Sequence, residues 1–364
     1  ISHKVRYLIF DEPTTSLGPQ QVDRLFQVIR TLQADGVGII YISHRLNEVL
    51  SLADDVMVLR NGERVAQFSV EACDIGAITQ AMLGTSMSEA FPLRPKRTPG
   101  EVIFEARHLT RHAVLNDVSL QVRKGEIVGI AGLVGAGKTE LLRALFGADP
   151  VDSGEFLVDD RPVKLTSPDR AVRHGIFLVP EERRSQGVLV QDSIRKNVSL
   201  PFLDQFTYAV LWMSRALELA HARQIIEQVG IVPPHPETLV QNLSGGNQQK
   251  VSIGKWFGRP SRVMMFDEAT QGIDVKAKRD IYELVHRLSE QASVIYASAD
   301  IDETLALADR ILVMRDGRIV AELSAAEADR QLVMEYATGT RQEMPPRDQR
   351  RQELVWQEQG AHAP

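Results

Sequence analysis

Cysteine is almost absent from this chain of 364 residues, in which Cys73 is the single thiol. One thiol cannot form an internal disulfide, so a disulfide-stabilised scaffold is excluded and a reducing compartment is expected. Basic charge is not in excess either, because the formal net charge is −6. A chain without a basic surplus does not favour binding to a polyanion, and no nucleic-acid partner is expected.

Long hydrophobic runs are also missing from the sequence. The longest, IVGIAGLVGAG at 127–137, is too short and too rich in glycine to span a bilayer. Aromatic residues make up only 6% of the chain, beside 43% hydrophobic and 25% charged residues, which is typical of a globular protein. The length predicts two domains rather than one.

One stretch of sequence occurs twice. IIYISHRLNEVLSLAD at 39–54 and VIYASADIDETLALAD at 294–309 agree at eight of sixteen positions. The match continues on both sides, with YLIFDEPTTSL at 7–17 against VMMFDEATQGI at 263–273, and MVLRNGERV at 57–65 against LVMRDGRIV at 312–320. Solenoid repeats are only tens of residues long, whereas the matching stretches here begin as far apart as residues 39 and 294. This larger separation indicates two copies of a whole domain.

The two copies set the predicted domain boundaries. The first copy is predicted at 1–92 without its front part, so we expect the chain to be a fragment of a longer protein. A linker is predicted at 93–100, where LRPKRTPG carries two prolines. The second copy is predicted to be complete at 101–340, and the polar tail at 341–364 is predicted to be poorly ordered.

Short apolar segments alternate with helical patterns in the second copy. Strands are predicted at 126–131, 175–179, 262–266, 293–297 and 310–314, and helices at 138–147, 214–229, 246–258, 276–290 and 300–308. This alternation predicts an α/β fold with a mostly parallel sheet. Residues 186–242 interrupt it and are predicted to form an inserted helical lobe.

A glycine-rich loop, GLVGAGKT at 132–139, follows a predicted strand, begins a helix and matches the pattern G-x-x-x-x-G-K-[ST]. Glycines let successive backbone N–H groups point at phosphate oxygens, helped by the positive end of the helix. Lys138 is predicted to reach the β- and γ-phosphates of a nucleotide, and Thr139 to offer a hydroxyl to Mg²⁺. The predicted nucleotide-binding residues of this loop are Gly132, Leu133, Val134, Gly135, Ala136, Gly137, Lys138 and Thr139.

Paired carboxylates follow an apolar strand in both copies. In VMMFDEAT at 263–270, Asp267 is predicted to bind Mg²⁺ and Glu268 to act as the general base toward water. Asp11, as a further Mg²⁺ contact, and Glu12, as a second base, repeat the arrangement in the first copy. A pair of this kind at a strand end is often only a solvated turn, but the upstream phosphate loop favours the catalytic interpretation.

Between the loop and the second carboxylate pair lies LSGGNQQK at 243–250. Ser244 is predicted to cap a helix, and Gly245 and Gly246 leave backbone N–H groups accessible to a nucleotide. By itself the stretch could be an ordinary helix start. Its position between the other two motifs favours nucleotide binding.

In this order the motifs resemble those of ATP-binding-cassette ATPases: the phosphate loop, LSGGNQQK, FDEAT and GID at 272–274. The QQK extension, VPEERRSQG at 179–187 and the tandem duplication are similar to the double-cassette subunit of bacterial monosaccharide importers of the ribose, galactose and xylose type. The resemblance covers residues 1–340. It implies a P-loop NTPase fold with a RecA-like core, an antiparallel β subdomain and a helical lobe.

The resemblance also implies what the protein works with. ATP hydrolysis with Mg²⁺ would drive sugar uptake through integral membrane permease subunits, supplied by a periplasmic sugar-binding protein. The chain would then be a peripheral protein at the cytoplasmic face of the bacterial inner membrane.

The family's copies pair head to tail, so that each ATP lies between the phosphate loop of one and the SGG of the other. The family's switch histidine, which contacts the γ-phosphate, corresponds to His44 in the first copy and to Ala299 in the second. Glu181 stands where most cassettes have a metal-contacting glutamine. We therefore expect unequal sites: the one with Glu12 and His44 hydrolyses ATP, and the one with Glu268 binds ATP but turns it over slowly.

Two other functions stay open on the sequence. One is a soluble tandem-cassette ATPase acting on ribosomes or DNA, although such proteins carry a long charged helical insertion between copies and the predicted linker here is short. The other is a degenerate regulatory cassette, suggested by Ala299 and Glu181. The intact Lys138 and Thr139 argue against that second alternative.

Overall fold

The computed structural model of the chain describes residues 5–14, 19–43, 45–60, 62–83, 99–208 and 212–343. The chain divides into two compact units, one of residues 1–93 with 272–279 and one of residues 94–271 with 280–364. Of the sequence predictions, His44, residues 93–98 of the linker and residues 344–364 of the tail lie outside the described residues.

In chain order, the elements of residues 1–93 are β1 (Tyr7–Asp11), α1 (Pro19–Ala34), β2 (Gly38–Ile42), α2 (Leu46–Leu52), β3 (Asp55–Arg60), β4 (Glu63–Ser69) and α3 (Ile75–Leu83). The later strands are β5 (Val102–Arg111), β6 (Leu115–Arg123), β7 (Ile127–Ala131), β8 (Ser153–Val158), β9 (Arg161–Val163), β10 (Ile176–Val179), β11 (Thr207–Tyr208), β12 (Trp212–Met213), β13 (Val263–Asp267), β14 (Ser293–Ser298), β15 (Arg310–Arg315) and β16 (Arg318–Ser324). The later helices are α4 (Lys138–Leu145), α5 (Pro168–Arg173), α6 (Ile194–Ser199), α7 (Arg215–Val229), α8 (Gly245–Gly254), α9 (Val275–Leu288), α10 (Ile301–Leu307) and α11 (Arg330–Thr338). In the described part of the chain, none of the helices combines the length and apolarity that crossing a membrane requires.

The centre of the second unit is a six-stranded sheet with the order β10-β13-β14-β7-β15-β16. The first five strands are parallel and β16 pairs antiparallel with β15. The central strands β7, β13 and β14 are buried along their whole length, as expected for a parallel sheet covered on both faces. The predicted α/β organisation is confirmed, and each predicted strand lies within one residue of the observed one.

One helix boundary was predicted wrongly. Helix α8 ends at Gly254, whereas the sequence predicted a helix that continues to residue 258. The amides of Trp256 and Phe257 bond the carbonyls of Ile253 and Gly254, three residues back, so the chain tightens into turns there.

Two smaller layers complete the second unit. Strands β6-β5-β8-β9 form an antiparallel sheet, and the amide of Asn116 in β6 donates to the carbonyl of Gly317 between β15 and β16. The lobe predicted to be helical at 186–242 contains α6 and α7, but also the short antiparallel pair β11–β12, which the periodicity of the sequence did not predict. Ser193 and Ser214 cap the two helices, because their hydroxyl oxygens accept hydrogen bonds from the backbone N–H groups of Lys196 and Leu217.

Trp256 fixes the helical lobe against the central sheet. Its ring stacks on Phe177 of β10 at 5.1 Å between centroids, and its Nε1 donates to the carbonyl of Leu178 at 2.9 Å. Phe146 and Phe202 meet the same indole edge-on. This aromatic cluster holds α8, and with it the SGG motif, at a defined place in the unit.

The first unit repeats the local structure of the second. Strand β1 pairs parallel with β2, and Tyr7 lies opposite Gly38 as Val263 lies opposite Ser293. The hairpin β3–β4 has a register irregularity between Val58 and Leu59, matching that between Val313 and Met314 in β15–β16. The stretches that match in sequence therefore also agree in strand pairing and register.

The first unit differs from the second in burial. Tyr7 is 76% exposed and Ile9 is 63% exposed, whereas Val263 and Met265 at the equivalent positions are fully buried. In the second unit β7 joins β14 to β15 in one sheet, whereas the described residues of the first unit form two separate two-stranded sheets. Each strand of the first unit therefore has one paired neighbour among the described residues, whereas β7, β13 and β14 each have two.

Candidate functional site

The phosphate loop lies between β7, which ends at Ala131, and α4, which begins at Lys138. Gly135 and Gly137 have φ angles of +84° and +99°, in the left-handed region that a side chain rarely adopts. At Gly132 a Cβ would lie 2.6 Å from the backbone oxygen of Met314. These positions need glycine for the loop to curl and pack as it does.

Lys138 points back into this loop. It is only 6% exposed, and its Nζ donates to the carbonyls of Gly132 at 2.9 Å and Leu133 at 3.3 Å. The same ammonium lies 3.6 Å from Oε1 of Glu268. The predicted phosphate-binding cation and the predicted general base are therefore neighbours.

The remaining loop residues serve its shape. The side chains of Leu133 and Val134 are exposed, whereas Ala136 is buried and its carbonyl accepts the amide of Gly317 at 3.0 Å. That bond ties the loop to the turn after β15.

Asp267, at the end of β13, is buried beside the loop. Thr139 donates its Oγ1 hydrogen to Asp267 Oδ1 at 3.1 Å. Burial raises the pKa of Asp267 to about 7, the charges of Glu181 and Glu268 add to the rise, and the Thr139 hydrogen bond and Lys138 oppose it. Glu181, which follows β10, is thus part of the same electrostatic environment.

These groups fit a magnesium ion. Mg²⁺ takes hard oxygen ligands, often one or two carboxylates and a hydroxyl together with substrate phosphates. Thr139 and Asp267 supply that donor set at hydrogen-bonding distance from each other. A dication would also compensate the buried Asp267 carboxylate, whose ionised form burial disfavours.

Glu268 follows directly, with a φ angle of +44°. Its amide donates to the carbonyl of Ala297 at 3.0 Å, and its carboxylate is bonded by the backbone of Ala299 and lies 3.4 Å from the hydroxyl of Ser298. Burial raises the pKa of Glu268, and the hydrogen bond from the Ala299 backbone and the charge of Lys138 partly offset this rise. A raised pKa brings a carboxylate closer to the working pH of a general base.

A buried carboxylate that sequence reasoning did not single out lies behind Glu268. Glu303 of α10 is 1% exposed and accepts the hydroxyls of Thr270 at 2.6 Å, Tyr296 at 3.1 Å and Ser298 at 3.2 Å. The threonine, serine and glutamate recur at the matching positions of the first copy. This recurrence in both copies is the sequence signal for the cluster.

The first copy shows the same cluster. Glu48 accepts the hydroxyls of Thr14 at 2.7 Å and Tyr41 at 2.9 Å. Asp11 and Glu12 lie at the end of β1 and are exposed. Glu12 has a φ angle of +43°. The amide of Glu12 donates to the carbonyl of Ile42 at 2.9 Å, as that of Glu268 does to Ala297.

Ser244 caps α8 as predicted. Its hydroxyl accepts the amide of Asn247 and, at 2.9 Å, the side-chain Nδ2 of the same residue. Ser244 is exposed, and Gly245 and Gly246 form the first turn of the helix. Among the hydrogen bonds of the described residues, none joins this cap to the phosphate loop at 132–139.

Comparison with known proteins identifies the family. A family model described as ABC transporter matches residues 115–271. The ribose import ATP-binding protein RbsA 1 of Rubrobacter xylanophilus is 46% identical over 336 residues, which cover 92% of this chain and 67% of that protein. The ribose import ATP-binding protein RbsA of Bacillus subtilis is 40% identical, covering 92% and 68%. A putative ribose/galactose/methyl galactoside import ATP-binding protein of Agrobacterium fabrum is 41% identical, covering 93% and 67%.

Solved structures agree on the fold. The ADP conformation of MJ1267, an ATP-binding cassette of an ABC transporter, matches with a TM-score of 0.55 at 20% identity, covering 65% of this chain and 95% of that one. The cassette MJ0796 in a post-hydrolysis state bound to ADP and phosphate matches with a TM-score of 0.53 at 21% identity, covering 61% and 99%. The P-loop NTPase fold of an ATP-binding cassette is thereby established, and the chain belongs to the ATP-binding proteins of the ABC transporter family.

Proposed function

We propose that this chain binds ATP with Mg²⁺ at residues 132–139 and acts as the ATP-hydrolysing subunit that energises import of a monosaccharide of the ribose type. The observation that carries the proposal is the junction of loop and strand end, where Thr139 bonds Asp267 and Lys138 adjoins Glu268. The names of its relatives, among which ribose import recurs, favour the sugar class. They do not favour the ribosome- or DNA-acting alternative.

The residues of the loop would act together on the nucleotide. Backbone N–H groups of 132–137 bind the phosphates, and Lys138 exchanges its contacts with the Gly132 and Leu133 carbonyls for phosphate oxygens. Thr139 and Asp267 would hold Mg²⁺, which supplies charge neutralisation at the β- and γ-phosphates.

Glu268 would take the proton of the attacking water. The water oxygen forms a bond to the γ-phosphorus, the bond to the ADP oxygen breaks, and the proton passes to the Glu268 carboxylate. Burial beside Lys138 keeps the Glu268 carboxylate at the loop, 3.6 Å from the ammonium.

The importer would contain two cassettes of unequal activity. Glu12 and His44 would belong to the site that hydrolyses ATP readily, and Ser244, Gly245 and Gly246 would offer a hydroxyl and backbone N–H groups to a nucleotide. The site of Glu268 would bind ATP and turn it over slowly, because Ala299 offers a methyl group where an imidazole would hold the γ-phosphate. The replacement of His44 in the first copy by Ala299 in the second is the difference that supports this interpretation.

The partners follow from the role in import. Integral membrane permease subunits would bind the chain at the cytoplasmic face of the inner membrane, and a periplasmic sugar-binding protein would deliver the sugar to them. The chain itself would contact the permease and ATP only.

Binding of a fluorescent ATP analogue with Mg²⁺, measured beside the ATPase rate, tests the proposal. Lys138→Ala is expected to weaken binding at least about tenfold, because it removes a charged phosphate contact, whereas the exposed Lys164→Ala should leave binding unchanged. Unchanged binding in Lys138→Ala would contradict the assigned site. Rapid turnover that disappears in Lys138→Ala would retain the site but contradict the slow-turnover assignment.

A further inference from the structure

Glu268 is held in an unfavourable backbone conformation. Its φ angle of +44° lies in the left-handed region, and Glu12 at the matching position has +43°. Such a residue keeps this conformation only where its surroundings fix it, and this happens most often at functional sites. The same angle thus recurs in both copies, directly after the aspartate that ends the strand.

Glu303 supplies those surroundings in the second copy. Its carboxylate accepts the hydroxyl of Thr270, two residues after Glu268, and so fixes the turn that carries Glu268. The hydroxyls of Tyr296 and Tyr282 also bond Glu303. Burial raises the pKa of both tyrosines, and the Glu303 charge raises it further, so both remain protonated donors.

Ser298 connects Glu303 to Glu268 directly. Its hydroxyl lies 3.2 Å from Glu303 Oε2 and 3.4 Å from Glu268 Oε2, and its oxygen accepts the amide of Asp300 at 3.0 Å. The Asp300 bond fixes the oxygen, so the single hydroxyl proton can be directed only toward the two carboxylates. The Ser298 hydroxyl therefore bridges the two carboxylates, and its proton is shared between Glu303 and Glu268.

The first copy stabilises the equivalent carboxylate differently. Glu48 is paired with the guanidinium of Arg45 at 3.1 Å, and Asp300 stands at the position of Arg45 in the second copy. Conversely, Tyr282 stands where the first copy has Phe26. In the second copy, where Ala299 stands at the position of His44, the neutral hydroxyl of Tyr282 thus takes the place of the Arg45 cation. The buried glutamate is present in both copies.

We propose that Glu303 is a positioning residue, which holds Glu268 toward the attacking water through the hydroxyls of Ser298 and Thr270 in the copy that lacks the switch imidazole. The proposal rests on the proposed function, in which Glu268 is the general base. It assigns to Ser298 and Thr270 an effect on the hydrolytic step and none on ATP binding.

Single-turnover hydrolysis with the full chain in excess over ATP tests the proposal, beside the ATP dissociation constant and the melting temperature. Ser298→Ala is expected to slow hydrolysis about tenfold, the scale of one hydrogen bond to a charged group, with the dissociation constant within about twofold of wild type. Ser289→Ala is the matched control, since Ser289 is a similarly buried serine whose hydroxyl donates to the backbone carbonyl of His286 at 2.6 Å. It should leave the rate unchanged.

A second pair of variants keeps the test independent of Ser298. Thr270→Val should slow hydrolysis to a similar extent, and Thr270→Ser, which keeps the hydroxyl, should restore the rate. An unchanged rate in both Ser298→Ala and Thr270→Val, or a loss of affinity parallel to the loss of rate, would overturn the proposal. So would wild-type turnover no faster than that of Lys138→Ala. If the wild type fails to bind ATP at all, the proposed function falls instead.

Discussion

Asp267 illustrates at the scale of one residue how the burial of a proposed metal ligand can oppose folding. The carboxyl is 2% exposed, and burial raises its pKa from 3.8 to about 7. The folded state therefore binds a proton more tightly than the unfolded chain does. The stabilisation from that proton is complete below about pH 4 and is lost as the pH rises through 7.

Asp267→Asn should consequently raise the free energy of unfolding of the nucleotide-free protein at pH 7.5 by about 2–4 kcal/mol, which is the scale that corresponds to the rise in the Asp267 pKa. The gain should shrink toward pH 4, where the folded aspartate is protonated and the unfolded one, with a pKa of 3.8, is about half protonated. Urea unfolding at the two pH values measures the difference, with the exposed Asp169→Asn as control. The same variant should lose Mg²⁺-dependent ATP binding. A destabilised Asp267→Asn at pH 7.5 would show that the carboxylate is compensated in the folded protein.

At the scale of elements, the site depends on how closely α10 packs against β7. A Cβ at Gly129 in β7 would lie 2.5 Å from Cγ2 of Thr304 and 2.7 Å from Cβ of Ala308. Thr304 follows Glu303 directly on α10. The absence of a side chain at Gly129 therefore lets α10 bring Glu303 to the end of β14.

Gly129→Ala is expected to destabilise the second unit by about 1–3 kcal/mol, because an added methyl in a packed contact forces neighbours apart. Adding Thr304→Ser removes the nearer methyl and should recover part of the loss, which a double-mutant cycle in urea measures. If the effects of the two changes on the free energy of unfolding are strictly additive, the contact between residue 129 and Thr304 is not the cause of the loss.

At the scale of the whole molecule, the two units differ in how well their strands are covered. Strand residues that are buried in the second unit have exposed counterparts in the first, such as Tyr7 and Ile9. Exposed apolar surface contributes nothing to the hydrophobic stabilisation of a unit. The first unit is therefore expected to be the less stable one.

Calorimetry should then resolve two thermal transitions, with the first unit unfolding at the lower temperature. ATP with Mg²⁺ at about a hundred times its dissociation constant should stabilise only the upper transition, by about 2.7 kcal/mol. Lys138→Ala should retain both transitions and lose this shift. One cooperative transition that moves as a whole on adding ATP would contradict the independence of the two units.

The sequence alone determined whatever is encoded by neighbouring residues. The apolar strands, the glycine loop with Lys138 and Thr139 and the cap at Ser244 all rest on local patterns, because periodicity and turn chemistry act over a few residues. The cluster around Glu303 was decided only by tertiary structure. Its members come from the turn after β13 and from β14, α9 and α10. They meet because the parallel pairing of β13 with β14 places both strand ends at one edge of the sheet and Gly129 admits α10 beside them. The burial that shifts Asp267 likewise exists only once the sheet has formed, since an isolated strand end is hydrated.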